Sequence, residues 1–171
     1  MNAPSISTNR LTIRRLTLDD APFIVRLLND PDWLRFIGDK DVHSEEDARR
    51  YLTSGPLAMY AQHGFGLYAV ERHGDRTPIG MCGLIRRAGL EDVDIGYAFL
   101  PQGRGQGFAL EAAQAVLDYG LNTIGIARIV AITDPENSAS SRVLEQIGMH
   151  FERQFQLTDG GKPVALYAIE R

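Results

Sequence analysis

The chain has 171 residues, 18 of them basic and 22 acidic, for a formal net charge of -4. That length suits one domain with a real core on the usual scale of about 100–200 residues per domain, and the acidic balance offers no electrostatic footprint for nucleic acid or an anionic membrane. The single cysteine, Cys82, excludes an internal disulfide, the opening "MNAPSISTNR" has no apolar core of signal-peptide length, and no run approaches a membrane span, so the expectation is a single cytoplasmic domain over 1–171.

In chain order, "RLTIRRL" (10–16) reads as a first strand and "TLDDAPFIVRLLND" as a helix, with Asp20 its N-cap because Pro22 is tolerated only in the first turn. A second helix follows "HSEEDARRYL", where Ser44 with Asp47 three residues on resembles a capping box. The period then changes. Three β-like runs, near 66–71, 78–87 and 92–100, are separated by "HGDRT" and "AGLE", turn chemistries for an antiparallel meander. Cys82 sits in the apolar run "IGMCGL" and is expected to be a buried thiol.

Next comes "PQGRGQGFALEA" (101–112), and a helix whose Ala109, Ala112, Ala113, Val116 and Leu117 make one apolar face, with Glu111, Gln114 and Asp118 opposite. The run "ARIVAIT" (127–133), reached through that helix, is expected to lie parallel to 92–100. Another helix starts at "NSASSRVLEQIG", with Asn137 as N-cap and Gly148 at the left-handed C-terminal position. Runs near 149–157 and 163–169 close the chain as a hairpin around "DGGK". The expected class is α/β, a mixed sheet with helices packed on its faces.

The glycines of 101–112 lie between a strand end and a helix start, where unpaired N–H groups and the helix dipole attract an anion. Gly103, Gly105 and Gly107 let successive amides approach a phosphate, and Arg104 can add a charge-assisted hydrogen bond. A Walker loop would need a terminal Gly-Lys-Ser/Thr, and a dinucleotide loop a third glycine where Phe108 or Leu110 stands. The plainer reading is a mobile turn before a helix.

Resemblance narrows the choice. "IGYAFLPQGRGQGFALEA" resembles the acyl-CoA loop of the GNAT superfamily of N-acetyltransferases, Gln/Arg-x-x-Gly-x-Gly/Ala, here Gln102, Gly105 and Gly107. "NSASSRVLEQIGM" resembles the Asn-x-x-Ser-x-x-Val-Leu-Glu-x-x-Gly-Phe/Met helix of the branch that includes the ribosomal-protein N-terminal acetyltransferases, and the opening "TNRLTIRRLTLDDAPFIVRLLNDPDWLRFIG" is similar to that branch's first strand and helix. The resemblance covers nearly the whole chain. It implies the acyl-CoA N-acyltransferase fold, a mixed and mostly antiparallel central sheet with helices on both faces and a splayed parallel strand pair.

It also implies acetyl-CoA as cosubstrate and transfer of its acetyl group to a primary amine by direct attack in a ternary complex. Backbone groups of Phe99 and Leu100 would hold the pantetheine arm. Amides from Gly103 through Arg104, Gly105 and Gln106 to Gly107, after Gln102, would bind the pyrophosphate, and Asn137 and Ser140 would face the acyl end. Many members carry a tyrosine seven residues after the asparagine, to protonate the departing thiolate; this chain has Leu144. Ser140, or a water it holds, is then the first candidate acid, with Tyr97 and Tyr167 as others. The plainer reading of Ser140 is a helix-start residue bonding backbone.

Asp94 stands where the branch often has a glutamate and would receive the amine's proton through water, unless it is an acidic side chain on an exposed strand face. No His, Cys or Asp cluster shows metal-ligand spacing, so no metal is expected and His43, His63, His73 and His150 read as loop or surface residues. Trp33 and Phe36 fall in the segment that borders the acceptor cleft in the family, or else are core. The tail "DGGKPVALYAIER" departs from the ribosomal-protein branch, which leaves a protein N-terminus, a free amino acid or an aminated small molecule as acceptor. No nucleic-acid or membrane partner is expected, and the chain is taken as a monomer or homodimer. Two other readings stand beside this one: a non-catalytic acyl-CoA-binding or sensing module, and a different phosphate-ligand protein.

Overall fold

The computed structural model describes residues 5–171; the first four, at the head of the segment read for a leader, lie outside the described residues. Period-2 apolar alternation and short turns produce eight strands: β1 (Ile6–Ser7), β2 (Leu11–Arg15), β3 (Leu67–Arg72), β4 (Gly80–Ile85), β5 (Val93–Phe99), β6 (Arg128–Thr133), β7 (His150–Gln156) and β8 (Pro163–Glu170). They form one sheet in the order β1-β2-β3-β4-β5-β6-β8-β7. Every neighbouring pair is antiparallel except β5 and β6, which are parallel as the intervening helix requires.

The alternation sends successive side chains to two cores. Ala69 and Met81 join Leu16, Leu27 and Leu28 under α1 (Ala21–Leu28), α2 (Pro31–Phe36) and α3 (Glu45–Leu52). Val70, Cys82, Leu84 and Ile95 face the other way, against Ala112, Ala113, Val116 and Leu117 of α5 (Phe108–Asp118) and Leu144 of α6 (Ser138–Gln146). Truncating a fully buried leucine such as Leu84 or Leu117 would cost about 2–5 kcal/mol. Cys82 is wholly buried, and burial pushes its thiol well above the usual range. None of the described helices is long and apolar enough to cross a membrane.

Local starts differ in places from the sequence reading. A 3-10 turn over Leu18–Asp20 precedes α1, and its capping box is Thr17 with Asp20. Asp20 stands at the N-cap position of α1 but makes no side-chain cap bond there; its carboxylate accepts from Thr17 N at 2.8 Å and forks with Arg14 at 2.9 and 3.0 Å. Ser44 caps α3 through Asp47 N, while Asp47 reaches back to His43 N rather than to Ser44. "PDWLRF" is a helix of its own. After Leu52 the chain stays helical through a π-turn over Thr53–Leu57, which absorbs Pro56, into α4 (Ala58–His63).

Candidate active site

The parallel pair is joined at only two positions, Val93 with Ile129 and Asp94 with Val130. Beyond Asp94 the strands part, while β5 stays paired to β4 as far as Phe99. Leu100 N donates to Ile79 O at 2.9 Å, so the ladder with β4 uses the backbone of Ala98 and Leu100 and turns that of Tyr97 and Phe99 toward the gap. Of the two residues expected to offer backbone groups, Phe99 faces the gap; the Leu100 amide is taken by the ladder and its carbonyl by Gly103 N. A cleft of about 470 Å³ occupies the parting and reaches both faces of the sheet.

At the end of β5 the chain makes a 3-10 turn over Pro101–Gly103, and Gly105 and Gly107 then take φ of 75° and 80°, the left-handed region that disfavours other residues. Gly103 is used differently: a Cβ there would sit 3.1 Å from Ile79 O and 3.2 Å from the Phe99 ring. The amides of Gly103 and Arg104 bond back to Leu100 O and Pro101 O. Those of Gly105, Gln106 and Gly107 meet no acceptor among the described residues, and they precede the first turn of α5. Three free amides and a helix dipole at one point form an anion cradle.

Two braces hold this loop, and the sequence reading missed both. Glu111, expected on the solvent side of α5, accepts from Thr8 Oγ1, Arg10 N and Arg10 Nε at 2.6, 2.9 and 2.8 Å. Arg10 Nη1 then donates to Gln106 O at 2.8 Å, and the guanidinium stacks on the Phe108 ring. Gln106 Nε2 donates to Gln102 O. On the other side, Arg104 pairs with Asp30, the N-cap of α2, and with Asp32 at 3.1 Å. Its charge is directed to α2 rather than standing beside the loop amides.

The α6 wall of the cleft carries Asn137, Ser140, Val143 and Leu144. Asn137 Oδ1 caps the helix through Ser140 N at 3.2 Å, as its residue type suggests. The Ser140 hydroxyl lies 3.0 Å from the Tyr97 hydroxyl, which also reaches Ser140 O at 3.0 Å. Ser140 is therefore tied to a strand residue rather than only to its own helix. Burial pushes the Tyr97 phenol well above its ordinary value, against the hydrogen bond from Ser140, so it stays protonated. Leu144 fills the expected tyrosine position. Tyr167 is 5% exposed, packs edge-on against Phe151 and lies outside the cleft lining.

Asp94 is 1% exposed, which overturns its reading as a solvated strand residue. It sits at the last β5–β6 pair, on the strand face that Ala98 presents to α1–α3. Oδ2 accepts from Arg87 Nε at 3.3 Å, while Oδ1 is buried without a partner among the described residues. Burial raises its pKa to about 6 against the pull of Arg87. On the same side Tyr51, raised to about 12 by burial, joins Trp33, Phe36, Lys40 and Arg87 along the cleft. Trp33 belongs to both readings, packed in the α1–α3 core and lining the cleft. The four histidines are exposed, but Asp39, Asp41 and His43 place ligand atoms within 4.8 Å of one another, a proximity that their spacing did not disclose. All three are exposed and lie outside the cleft lining.

Residues 10–150 match the model of the acetyltransferase (GNAT) domain family. Among curated relatives, the uncharacterized protein YkkB of Bacillus subtilis is 33% identical over 98% of this chain and 96% of its own, and the uncharacterized N-acetyltransferase YnaD of the same organism is 30% identical over 88% and 85%. Among solved structures, a GNAT-family acetyltransferase from Bacillus anthracis has a TM-score of 0.80 at 30% identity, covering 98% of both chains. RimL, the ribosomal L7/L12 alpha-N-protein acetyltransferase solved with coenzyme A, has a TM-score of 0.81 at 20% identity over 98% of both chains, a likeness of fold.

Proposed function

Because the chain belongs to the GNAT acetyltransferases, and so is an acetyl-CoA-dependent acetyltransferase, we propose that its acceptor is a primary amine and that the amine attacks the thioester directly in a ternary complex. The observation that carries this reading is the parting of β5 from β6 after Asp94, with free backbone edges inside it, an anion cradle at one end and an acid pair on its wall.

The roles follow from the placements. Free amides of Gly105, Gln106 and Gly107, with the α5 dipole, bind the pyrophosphate; Gly103 contributes close packing and Arg104 the tie to α2. Phe99, joined by Tyr97, offers backbone groups to the pantetheine arm, while Leu100 and Gln102 shape the turn beneath it. Asn137 holds the start of α6 so that Ser140 faces the acyl end. The amine nitrogen forms a bond to the thioester carbon as its proton passes through water to Asp94, which is ionised above pH of about 6. The C–S bond then breaks, and the thiolate takes a proton from Ser140, resupplied by Tyr97. Backbone donors in the gap stabilise the oxyanion, a contribution of about 3–4 kcal/mol for a well-placed donor.

Thiol release from acetyl-CoA across a panel of amines, with mass analysis of each product, tests the reading. Amine-dependent release with an acetylated product is expected. Acetyl-CoA binding without transfer to any amine would leave a binding module in its place.

A further inference from the structure

The cleft on the α1–α3 side of the sheet has a chemistry of its own. Trp33, Phe36 and Tyr51 build an apolar wall, and two cations, Lys40 and Arg87, line the same side. Of the carboxylates in the cleft lining, Asp30 and Asp32 pair with Arg104, and Asp134 stands on the β6 side with no ion-pair partner among the described residues. Lys40 has no carboxylate partner among the described residues, and Arg87 commits only Nε, to Asp94, so its two Nη groups have no protein partner there. On this side of the sheet, Trp33 Nε1 and Asp94 Oδ1 are buried with no partner among the described residues.

We propose, building on the acetyl-transfer reading above, that the acceptor is a small amine bearing a carboxylate and an apolar side chain, an α-amino acid in outline, whose carboxylate is bound by Arg87 with Lys40 and whose side chain lies on the Trp33, Phe36 and Tyr51 wall. A guanidinium with both Nη groups free presents two parallel N–H donors, the fork that matches a carboxylate. In an α-amino acid the amine is one carbon away from that carboxylate. Fixing the carboxylate on Arg87 therefore sets the amine on the cleft side of the Arg87–Asp94 pair, with Asp94 buried behind the lining where β5 leaves β6 and the gap begins, so that a water carries the proton between them. A peptide N-terminus carries an amide in place of the carboxylate, and its binding would cover Arg87 and Lys40 without supplying a counter-charge, at a cost in desolvation.

The test compares L-phenylalanine and L-methionine with their primary amides, with phenethylamine and with a short peptide bearing a free N-terminus, by thiol release from acetyl-CoA. The free amino acids should exceed their amides in kcat/KM by at least about tenfold, the order expected when one charge-assisted hydrogen bond is missing. In Arg87→Met the acid-to-amide ratio should fall toward one, and Arg87→Lys should keep part of it; the ratio, unlike the absolute rate, is insensitive to a general loss of folded protein. Amides, phenethylamine or the peptide used as well as the amino acids would overturn the inference and leave acetyl transfer standing, as would a ratio unchanged in Arg87→Met. No transfer to any amine, with acetyl-CoA still raising the thermal midpoint, would overturn acetyl transfer and this acceptor with it.

Discussion

The hydroxyl of Tyr97 on β5 and that of Ser140 on α6 lie 3.0 Å apart, joining strand to helix in the wall of the cleft. With Leu144 in the family's tyrosine position, this pair is the proton donor that the α6 wall of the cleft offers. Ser140→Ala should lower kcat by roughly 10–100-fold with little change in acetyl-CoA affinity. Tyr97→Phe should cost a similar factor, and the double variant little more, because the two act as one unit. Unchanged kcat in Ser140→Ala beside a dead Tyr97→Phe would move the proton donor to the tyrosine.

Asp94 predicts a pH profile. As a base with a pKa of about 6 it is inactive when protonated, so kcat/KM should carry an ascending limb near pH 6, separate from the limb at higher pH that the amine's own ionisation supplies. Asp94→Asn should lower the plateau and remove that limb. An unchanged ascending limb in the variant would assign it to another group.

The same group acts on stability with the opposite sign. Its pKa is raised on folding, so the native state binds the extra proton, and stability falls as pH rises between about 4 and 6. The charged form therefore costs roughly 2–3 kcal/mol at neutral pH. Asp94→Asn should raise the thermal midpoint at pH 8 by about 5–10 °C and change it little at pH 4. A lower midpoint at pH 8 would show that the Arg87 bond outweighs burial.

At Gly105 a side chain has open space but the wrong backbone, with φ at 75° and no atom within 4 Å of a built Cβ. Valine there would cost about 1–2 kcal/mol in the left-handed region and reshape the cradle. Acetyl-CoA affinity should fall at least about tenfold while the far-ultraviolet spectrum stays unchanged. Retained affinity, measured by calorimetry, would place the pyrophosphate elsewhere.

Glu111→Ala releases Thr8, Arg10 and, through Arg10, the Gln106 carbonyl. An exposed ion pair contributes up to about 1 kcal/mol, so the midpoint should fall by about 2–4 °C. Acetyl-CoA affinity should drop as well, because the loop loses its anchor on the turn between β1 and β2. A lower midpoint with full affinity would limit the brace to stability.

What could be read in advance was carried by short-range chemistry. Glycines at 105 and 107, the Asn137 cap and the α5 stripe each declare a local conformation, and the crossover helix dictates the parallel pair. Burial of Asp94 was not legible, because strand alternation puts it on a face whose cover, α1–α3, comes from a distant part of the chain. Glu111 and Arg104 looked like solvent and phosphate residues for the same reason: their partners, Thr8 and Arg10 for one and Asp30 and Asp32 for the other, are about a hundred and about seventy positions away. Pro56 hid the continuation of a helix that a π-turn permits.

Arg104 joins the cradle to α2 through Asp30 and Asp32, so the proposed nucleotide surface and the proposed acceptor surface share one fastening. Redesign of acceptor choice on α2 is thereby confined to its later positions. Phe36 and Ile37 can be exchanged for other shapes, whereas Trp33 also packs in the α1–α3 core and a change at Asp30 or Asp32 alters the proposed nucleotide end at the same time. On α2 itself, variation that diversifies the acceptor while sparing acetyl-CoA has about one helical turn in which to act.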